Sequence, residues 1–595
     1  MRVRICPKLT RSTSTAAAGR STSAGPRRRA VGGGPWPGRL ATGAVCALVL
    51  FAGGLAARAA DKKFIELGWD IPDTAFLRAE HLAMEQEGPF DGVIFRAGAK
   101  TGDGKSVSTQ AGWNRQRWNK EWFEDARGDL KACRFTKFSH NFLLFNATPQ
   151  RIEWTDGEGW DALEEKLRIC AWLAGEGKAK GLALDFEPYG ENQWKFDPST
   201  GRSFAETAAL ARQRGAQLAR GIGSEMPSAV ILALFLNSVV ARAGRVDHPA
   251  AILAEEHYGL LPAFFNGMLD AATPQMVLVD GCENGYYMDS LEAYQRAALE
   301  MRSWHGPAIK LVAPESRARY RQQVQAGFGF YLDMFVNPQG HRYYRPPLEG
   351  SRLKRLSRNL AAARDASDEY VWIYGEQCRW WSGLAKDKPW REEQLKNTAG
   401  KGRAWEEALP GITRAIARTR DARAAARAEI AQRKARGTAA NLAVNADFRQ
   451  PPTGGTLPPG WSSWQDEKNP TGSFAWDETV GGGSARAVQV AWGCFLQQLA
   501  AVPGETFAVS ADCLAKGTTT PAVTIRWQTG EGRWTHEADD ALLAFEPAGG
   551  DWKTAFGVVT VPAAAGQLVV LLGVRGQQTA NDVCWFDNVA VYRLD

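Results

Sequence analysis

Eight short apolar runs, each set off from the next by helical periodicity or a polar loop, occupy residues 64 to about 420, and this alternation constrains the chain most. The runs are Phe64–Asp70, Phe90–Arg96, Phe138–Asn146, Leu182–Glu187, Val230–Asn237, Met276–Asp280, Phe328–Val336 and Tyr370–Glu376. Strands that alternate with helices pair in parallel and are covered on both faces. Eight such units suit a (β/α)8 barrel better than an open sheet. Helical patterns fall at Trp160–Gly175, Phe204–Arg220, Pro262–Ala271, Leu291–Arg302 and Arg352–Ala366, with a last one near Trp405–Arg418. Asp73 and Thr74 cap a helix running to about Glu87. Leu311–Ala326 adds a helical segment that makes the seventh unit irregular.

Within this frame the segment Lys178–Tyr189, KAKGLALDFEPY, carries the chemistry. Side chains alternate along a strand, so Leu182, Leu184 and Phe186 point one way and Ala183, Asp185 and Glu187 the other. The apolar side meets helices; the acidic side looks into an enclosed space. Two carboxyl groups on a buried face are costly unless paired or used, and in parallel α/β folds the chemistry sits at the carboxyl ends of strands. Glu187 falls at such an end.

Other predicted strand ends also bear acids: Asp70, Asp280, Glu283, Asp333 and Glu376. Glycoside cleavage needs two carboxyl groups with separated pKa values, one to protonate the leaving oxygen and one to stay ionised. Glu187 is the first candidate, with Asp185 behind it, and Glu376 is preferred to Asp280 as the second acid. Tyr370, Trp372, Tyr374 and Glu376 share a face, which sets Glu376 above aromatics. Trp69, Asp70, Arg96, His140, Asn141, Tyr189, Glu283, Tyr374 and Trp380 are candidate substrate-binding residues. The barrel resembles glycoside hydrolase barrels, many of which keep a catalytic Glu at the end of the fourth strand. It departs from the family-18 chitinase pattern DxxDxDxE, since only Asp185 and Glu187 match and Ala183 stands where an Asp belongs. It departs also from the largest retaining clan, in which Asn precedes that Glu.

From Ala417 the chain turns to Ala and Arg, read as the last barrel helix running out into a helical linker at 421–440. From Asn441 it becomes Gly- and Thr-rich with short alternating stretches, the pattern of an all-β unit. Asn441–Phe448, the Pro458-Pro-Gly-Trp461 turn, Pro503–Ser510 and Trp585–Tyr592 resemble the β-sandwich of CBM4/9-like carbohydrate-binding modules. The resemblance implies a jelly-roll sandwich over 441–595, with Trp461, Trp464, Trp476, Trp492, Trp527 and Trp534 as candidate stacking residues. The 23 tryptophans of the chain suit both sugar stacking and cores.

Residues 1 to 60 read as an export segment, basic and then apolar over Ala41–Ala57, with an A-x-A-like cleavage site at Ala57-Arg58-Ala59. A secreted or periplasmic protein is expected, touching the membrane only if this segment is uncleaved. The net charge of +7 comes largely from that segment and the Ala/Arg run, and no basic stripe with interleaved aromatics marks a nucleic-acid partner. No Cys/His cluster suggests a metal, and no G-x-S-x-G, GxGxxG, P-loop or H-E-x-x-H sequence suggests another reaction or a cofactor. The expectation is an exported glycoside hydrolase acting on a poly- or oligosaccharide. A non-catalytic polysaccharide-binding protein with a degenerate barrel is the alternative, and a lyase using Arg96, His140 and Tyr189 a third.

Overall fold

The computed structural model describes residues 62–381, 403–468, 472–549 and 551–594, so the expected export segment lies outside the described residues. Strands β1 (Lys63–Gly68), β2 (Gly92–Phe95), β3 (Phe142–Asn146), β4 (Gly181–Asp185), β5 (Val230–Ala233), β6 (Val277–Asp280), β7 (Val324–Ala326), β8 (Phe328–Tyr331) and β9 (Tyr370–Gly375) form one sheet. It is nine-stranded and parallel, in the order β8-β9-β1-β2-β3-β4-β5-β6-β7. The two edge strands are consecutive in the chain, joined at Gly327. Gly327 N–H donates to Asp280 O at 2.9 Å and Gly329 N–H to Cys282 O at 3.4 Å, so the sheet curls into a nearly closed barrel. A Cβ at Gly327 would lie 2.9 Å from Val279 and 3.1 Å from the Tyr370 carbonyl, which is why the seam takes glycine there.

The boundaries differ from the sequence reading where side chains capture the backbone. The seventh run starts earlier, at Val324, and its end is a 3-10 turn, Leu332–Phe335, whose Asp333 accepts from the Glu376 and Gln377 amides. The fifth run stops at Ala233, because Asp280 takes the Leu236 and Ser238 amides at 3.0 and 2.8 Å. The third begins only at Phe142. Before it, Asn141 accepts from Val93 N–H at 3.0 Å and donates to Phe138 O at 2.8 Å.

Register separates inside from outside. Phe142 of β3 and Tyr370 of β9, three strands apart, meet with ring centroids 5.6 Å apart, so both point into the barrel. Parallel partners share a face, and Phe142 pairs with Gly181, Leu144 with Ala183 and Asn146 with Asp185. Asn146 and Asp185 therefore point inward. Leu182, Leu184 and Phe186 point outward, against Leu167 of α2 (Gly157–Glu176), Leu218 and Ile222 of α3 (Phe204–Glu225) and Phe264 of α4 (Leu261–Ala271). Helix α1 (Thr74–Glu87) is capped as expected, the Asp73 side chain accepting from Phe76 N–H at 2.9 Å.

The Ala/Arg stretch is not one helix running out into a linker. Helix α6 (Ile412–Arg420) packs against α5 (Arg352–Ala366), and Asp421 then breaks the chain and caps α7 (Ala422–Ala435). Ala426 and Ile430, four residues apart on one face, are buried against Ala508, Phe556 and Leu594 of the C-terminal part. Beyond α7, a five-stranded and a six-stranded antiparallel sheet share a core that includes Phe495, Val509, Ile525, Trp527, Leu572 and Phe586. The tryptophan excess is largely structural: Trp113, Trp160, Trp194, Trp372, Trp405 and Trp527 are fully buried. The seven described cysteines are buried thiols.

Candidate active site

The carboxyl ends of the parallel strands gather acids and tyrosines around the barrel mouth. Asp185 closes β4 on the inner face, 4 % exposed, and accepts the Glu187 amide at 2.9 Å. That bond turns the chain so that Glu187 follows Asp185 on the same side. Asp185 is pushed up to about 7 by burial and by the neighbouring Glu187 charge. Glu187 is also raised, by burial, with a hydrogen bond from Tyr189 working against the shift. The repulsion between the two falls mainly on the deeper acid, Asp185, since the more solvated partner of a coupled pair ionises first.

Glu376 follows β9 on the inner face and is raised by burial and by Asp333, against hydrogen bonds from Tyr374 and Tyr331. Asp333 Oδ1 accepts the Glu376 amide at 3.1 Å, and Tyr331 donates to its Oδ2 at 3.2 Å. Glu283, in the turn after β6, is raised well above an ordinary carboxyl by burial and by the charges of Glu187, Asp185 and Glu376. Three rings stack beside these acids: Tyr286 lies 5.0 Å from Tyr331 and 6.0 Å from Tyr374, and Tyr331 lies 5.7 Å from Tyr374. Trp69 donates to the Tyr374 hydroxyl at 2.8 Å. Tyr189 is exposed at the rim, while its hydroxyl reaches the carboxyl groups.

Of the other candidates, all but Arg96 lie elsewhere. Asp280 is on the outer face, because Asp280 pairs with Ala233 while the inward Val279 pairs with Leu232, and its oxygens hold Leu236, Ser238 and Cys282. It is a cap for the β5 loop. Asp70 also leaves the mouth: Ile65, Leu67 and Trp69 take the inner face of β1, and Asp70 accepts the Trp380 and Trp381 amides at 2.7 and 3.1 Å outside the wall. Trp380 accordingly packs on Phe90 and Trp405 and does not wall a subsite. His140 and Asn141 precede β3 and sit at the opposite, amino end of the barrel, His140 facing Glu369 at 3.5 Å. Arg96 follows β2 on the inner side and donates to Gln110 at 3.0 Å.

The sequence reading missed Asn146, Tyr286 and Tyr331. Asn146 was discoverable by parity, as it stands in register with Asp185; its inward Oδ1 is buried without a hydrogen bond. Tyr286 sits in a 3-10 turn and carried no periodic signal. Among the described residues no cluster of His, Cys, Asp or Glu is arranged to hold a metal ion, and no helix is long and apolar enough to cross a membrane.

No family model matches the chain, and no curated protein is similar to it. Solved structures resemble about a quarter of it. The active domain of tailspike protein 4 of bacteriophage CBA120 is 17% identical over 26% of this chain and 21% of its own, with a TM-score of 0.21. A CBM4 structure is 20% identical over 25% and 99%, with a TM-score of 0.20. The CBM22-1–GH10 modules of Clostridium thermocellum xylanase 10B, in complex with xylohexaose, are 12% identical over 26% and 28%, with a TM-score of 0.19. Likenesses of this strength decide neither the activity nor the ligand.

Proposed function

We propose that the chain is an exported glycoside hydrolase: a (β/α)8 barrel over residues 61–420, a helical connection at 421–440 and a carbohydrate-binding jelly-roll sandwich over 441–595. The observation that carries this reading is the group of carboxyls, Asp185, Glu187, Glu283 and Glu376, at the carboxyl end of a parallel barrel beside stacked tyrosines, all raised by burial, with the Glu187 charge adding to the rise of the other three. Glu187 is the general acid, its carboxyl raised by burial, and it draws on the one proton that the Asp185–Glu187 pair keeps up to about 7. Glu376, anchored through its own amide to Asp333, is the second carboxyl, and Glu283 replaces Asp280 as the next choice. Asp185 positions Glu187 through the amide bond. Tyr189 and Tyr374 bind sugar hydroxyls, and Trp69 gives a ring face at the rim. The exposed Trp464, Trp492 and Trp534 lie on or beside the five-stranded sheet and suit a polysaccharide surface.

The test is release of reducing ends from a panel of soluble glycans by the purified chain and by Glu187→Gln. An enzyme produces reducing ends that the variant does not. A protein that binds glycans and never releases an end overturns the catalytic reading and leaves the binding one.

A further inference from the structure

On the other side of the C-terminal part, a groove of about 350 Å³ runs between α7 and the outer face of the six-stranded sheet. Small-molecule sites span about 300–1,000 Å³, so the volume suffices for a ligand of one or two rings. Of the charged residues in its lining, Arg427 is paired with Glu546 at 2.6 Å, and the other two, Lys434 and Asp512, carry opposite charges that do not meet. Lys434, in the last turn of α7, stands over the Tyr592 ring at 5.6 Å and makes no ion pair among the described residues. Asp512 lines the same groove from the strand Thr506–Lys516, held by the Thr554 hydroxyl and by the Asn588 amide at 3.0 Å, and has no basic partner among the described residues. The strands shift register between Ser510 and Asp512, and Asn588 opposite adopts a left-handed φ of 49°. Such bulges re-aim side chains, and here polar ones converge. Ile430 supplies an apolar wall.

We propose that this groove is a binding site for a neutral sugar of one or two rings, separate from the barrel mouth and from the exposed tryptophans of the other sheet. A sugar hydroxyl both donates and accepts, so one ring can accept from the Lys434 ammonium at one edge and donate to Asp512 at another. Its C–H face suits Ile430 and the Tyr592 ring. An anion meets Asp512 and a cation meets Lys434, each with its own sign. A wholly apolar ligand desolvates both groups without replacing their hydrogen bonds.

The experiment uses the full chain carrying Trp464→Ala and Trp492→Ala, which removes two exposed rings of the opposite sheet. It is titrated calorimetrically with cellobiose, xylobiose, lactose and N-acetylglucosamine, and with glycine and alanine as zwitterions. The expected result is a sugar-binding component with Kd of about 1 mM or tighter, weakened at least about tenfold by Lys434→Met with Asp512→Asn. Should that pair lose its melting transition, Ala431→Trp, which fills the groove from the helix, is expected to abolish the same component. Absence of sugar binding, binding unchanged in the folded variants, or binding of the zwitterions in place of sugars overturns the proposal. Groove binding is compared within the Trp464→Ala, Trp492→Ala background and read as heat of binding, so its loss and the failure of cleavage at Glu187 are separate outcomes.

Discussion

At the amino end of the barrel Glu85 and Glu369 sit among donors, whereas at the carboxyl end Asp185, Glu187, Glu283 and Glu376 sit among one another. Glu85 accepts the amides of Thr136, Lys137 and Phe138 at 2.8, 2.6 and 2.7 Å, and the Thr136 hydroxyl at 2.9 Å. Burial alone would raise it, yet these bonds hold it below an ordinary carboxyl. Glu369 is likewise held low, against burial, by His140, Gln325 and Tyr370. The mouth acids, where burial outweighs the donors they have, are all raised. A carboxylate that holds a fold together is matched by donors, and one left facing its own kind stores a proton for use.

The largest effect that can break this comparison is kinetic. Glu187→Gln is expected to lower turnover by about 10²–10⁴-fold, the usual worth of a general acid, while its unfolding transition stays close to that of the parent. Equal reducing-end release by parent and variant would remove Glu187 from the chemistry. Next comes stability at the other end. Glu85→Ala leaves three backbone N–H groups without their acceptor, and buried unsatisfied groups cost about 1–3 kcal/mol each, so a loss of about 3 kcal/mol or more is expected in urea unfolding. Glu283→Gln, by contrast, relieves repulsion and should unfold no earlier than the parent. If Glu283→Gln costs as much as Glu85→Ala, the two ends are not built differently.

A third test sharpens the mouth itself. Asp185 holds its proton up to about 7 because it is buried and because Glu187 is ionised beside it, so the pair loses its second proton near neutrality. In Asp185→Asn only Glu187 titrates, below that second step, and the alkaline limb of the rate profile should move to lower pH as the rate falls. A limb that stays in place assigns it to another group, with Glu283 and Glu376 next to be examined.

Much of this geometry is legible in the sequence because strand parity needs no knowledge of neighbours. The alternation of Leu182, Leu184 and Phe186 with Asp185 and Glu187, and of Val371 and Ile373 with Tyr370, Trp372 and Tyr374, is present in the structure. Failures came where parity was not carried through or where a strand end was misplaced. Asp70 and Asp280 lie one residue off the inward positions Trp69 and Val279, and that step takes them to the outer face. Starting the third strand at Phe138 placed His140 and Asn141 within it, whereas Asn141 pins a turn ahead of the strand. Helix α7 was misread for a different reason: an Ala/Arg helix has little apolar face, and only the sheet beneath it makes Ala426 and Ile430 sufficient.

The smallest effect concerns an acid at neither end. Glu66 lies in β1 in register with Ile373, on the outer face of the wall, and its carboxyl oxygens are buried. It is raised well above an ordinary carboxyl by burial and by the nearby Asp70, with the Trp381 indole offsetting part of the shift. An unfolded Glu titrates at about 4.3, so the folded state holds a proton that the unfolded chain has released over the interval above that value. The stabilisation this proton gives is complete below about pH 4 and is lost as the pH rises through the folded pKa. Glu66→Gln keeps the protonated shape and cannot ionise. Its Tm should match the parent near pH 4 and exceed it at pH 8, by about 1–1.5 °C for each kcal/mol that the ionised carboxylate costs a unit of this size. Parallel curves of Tm against pH for parent and variant would mean that Glu66 has a hidden partner, and that uncompensated burial is confined to the mouth.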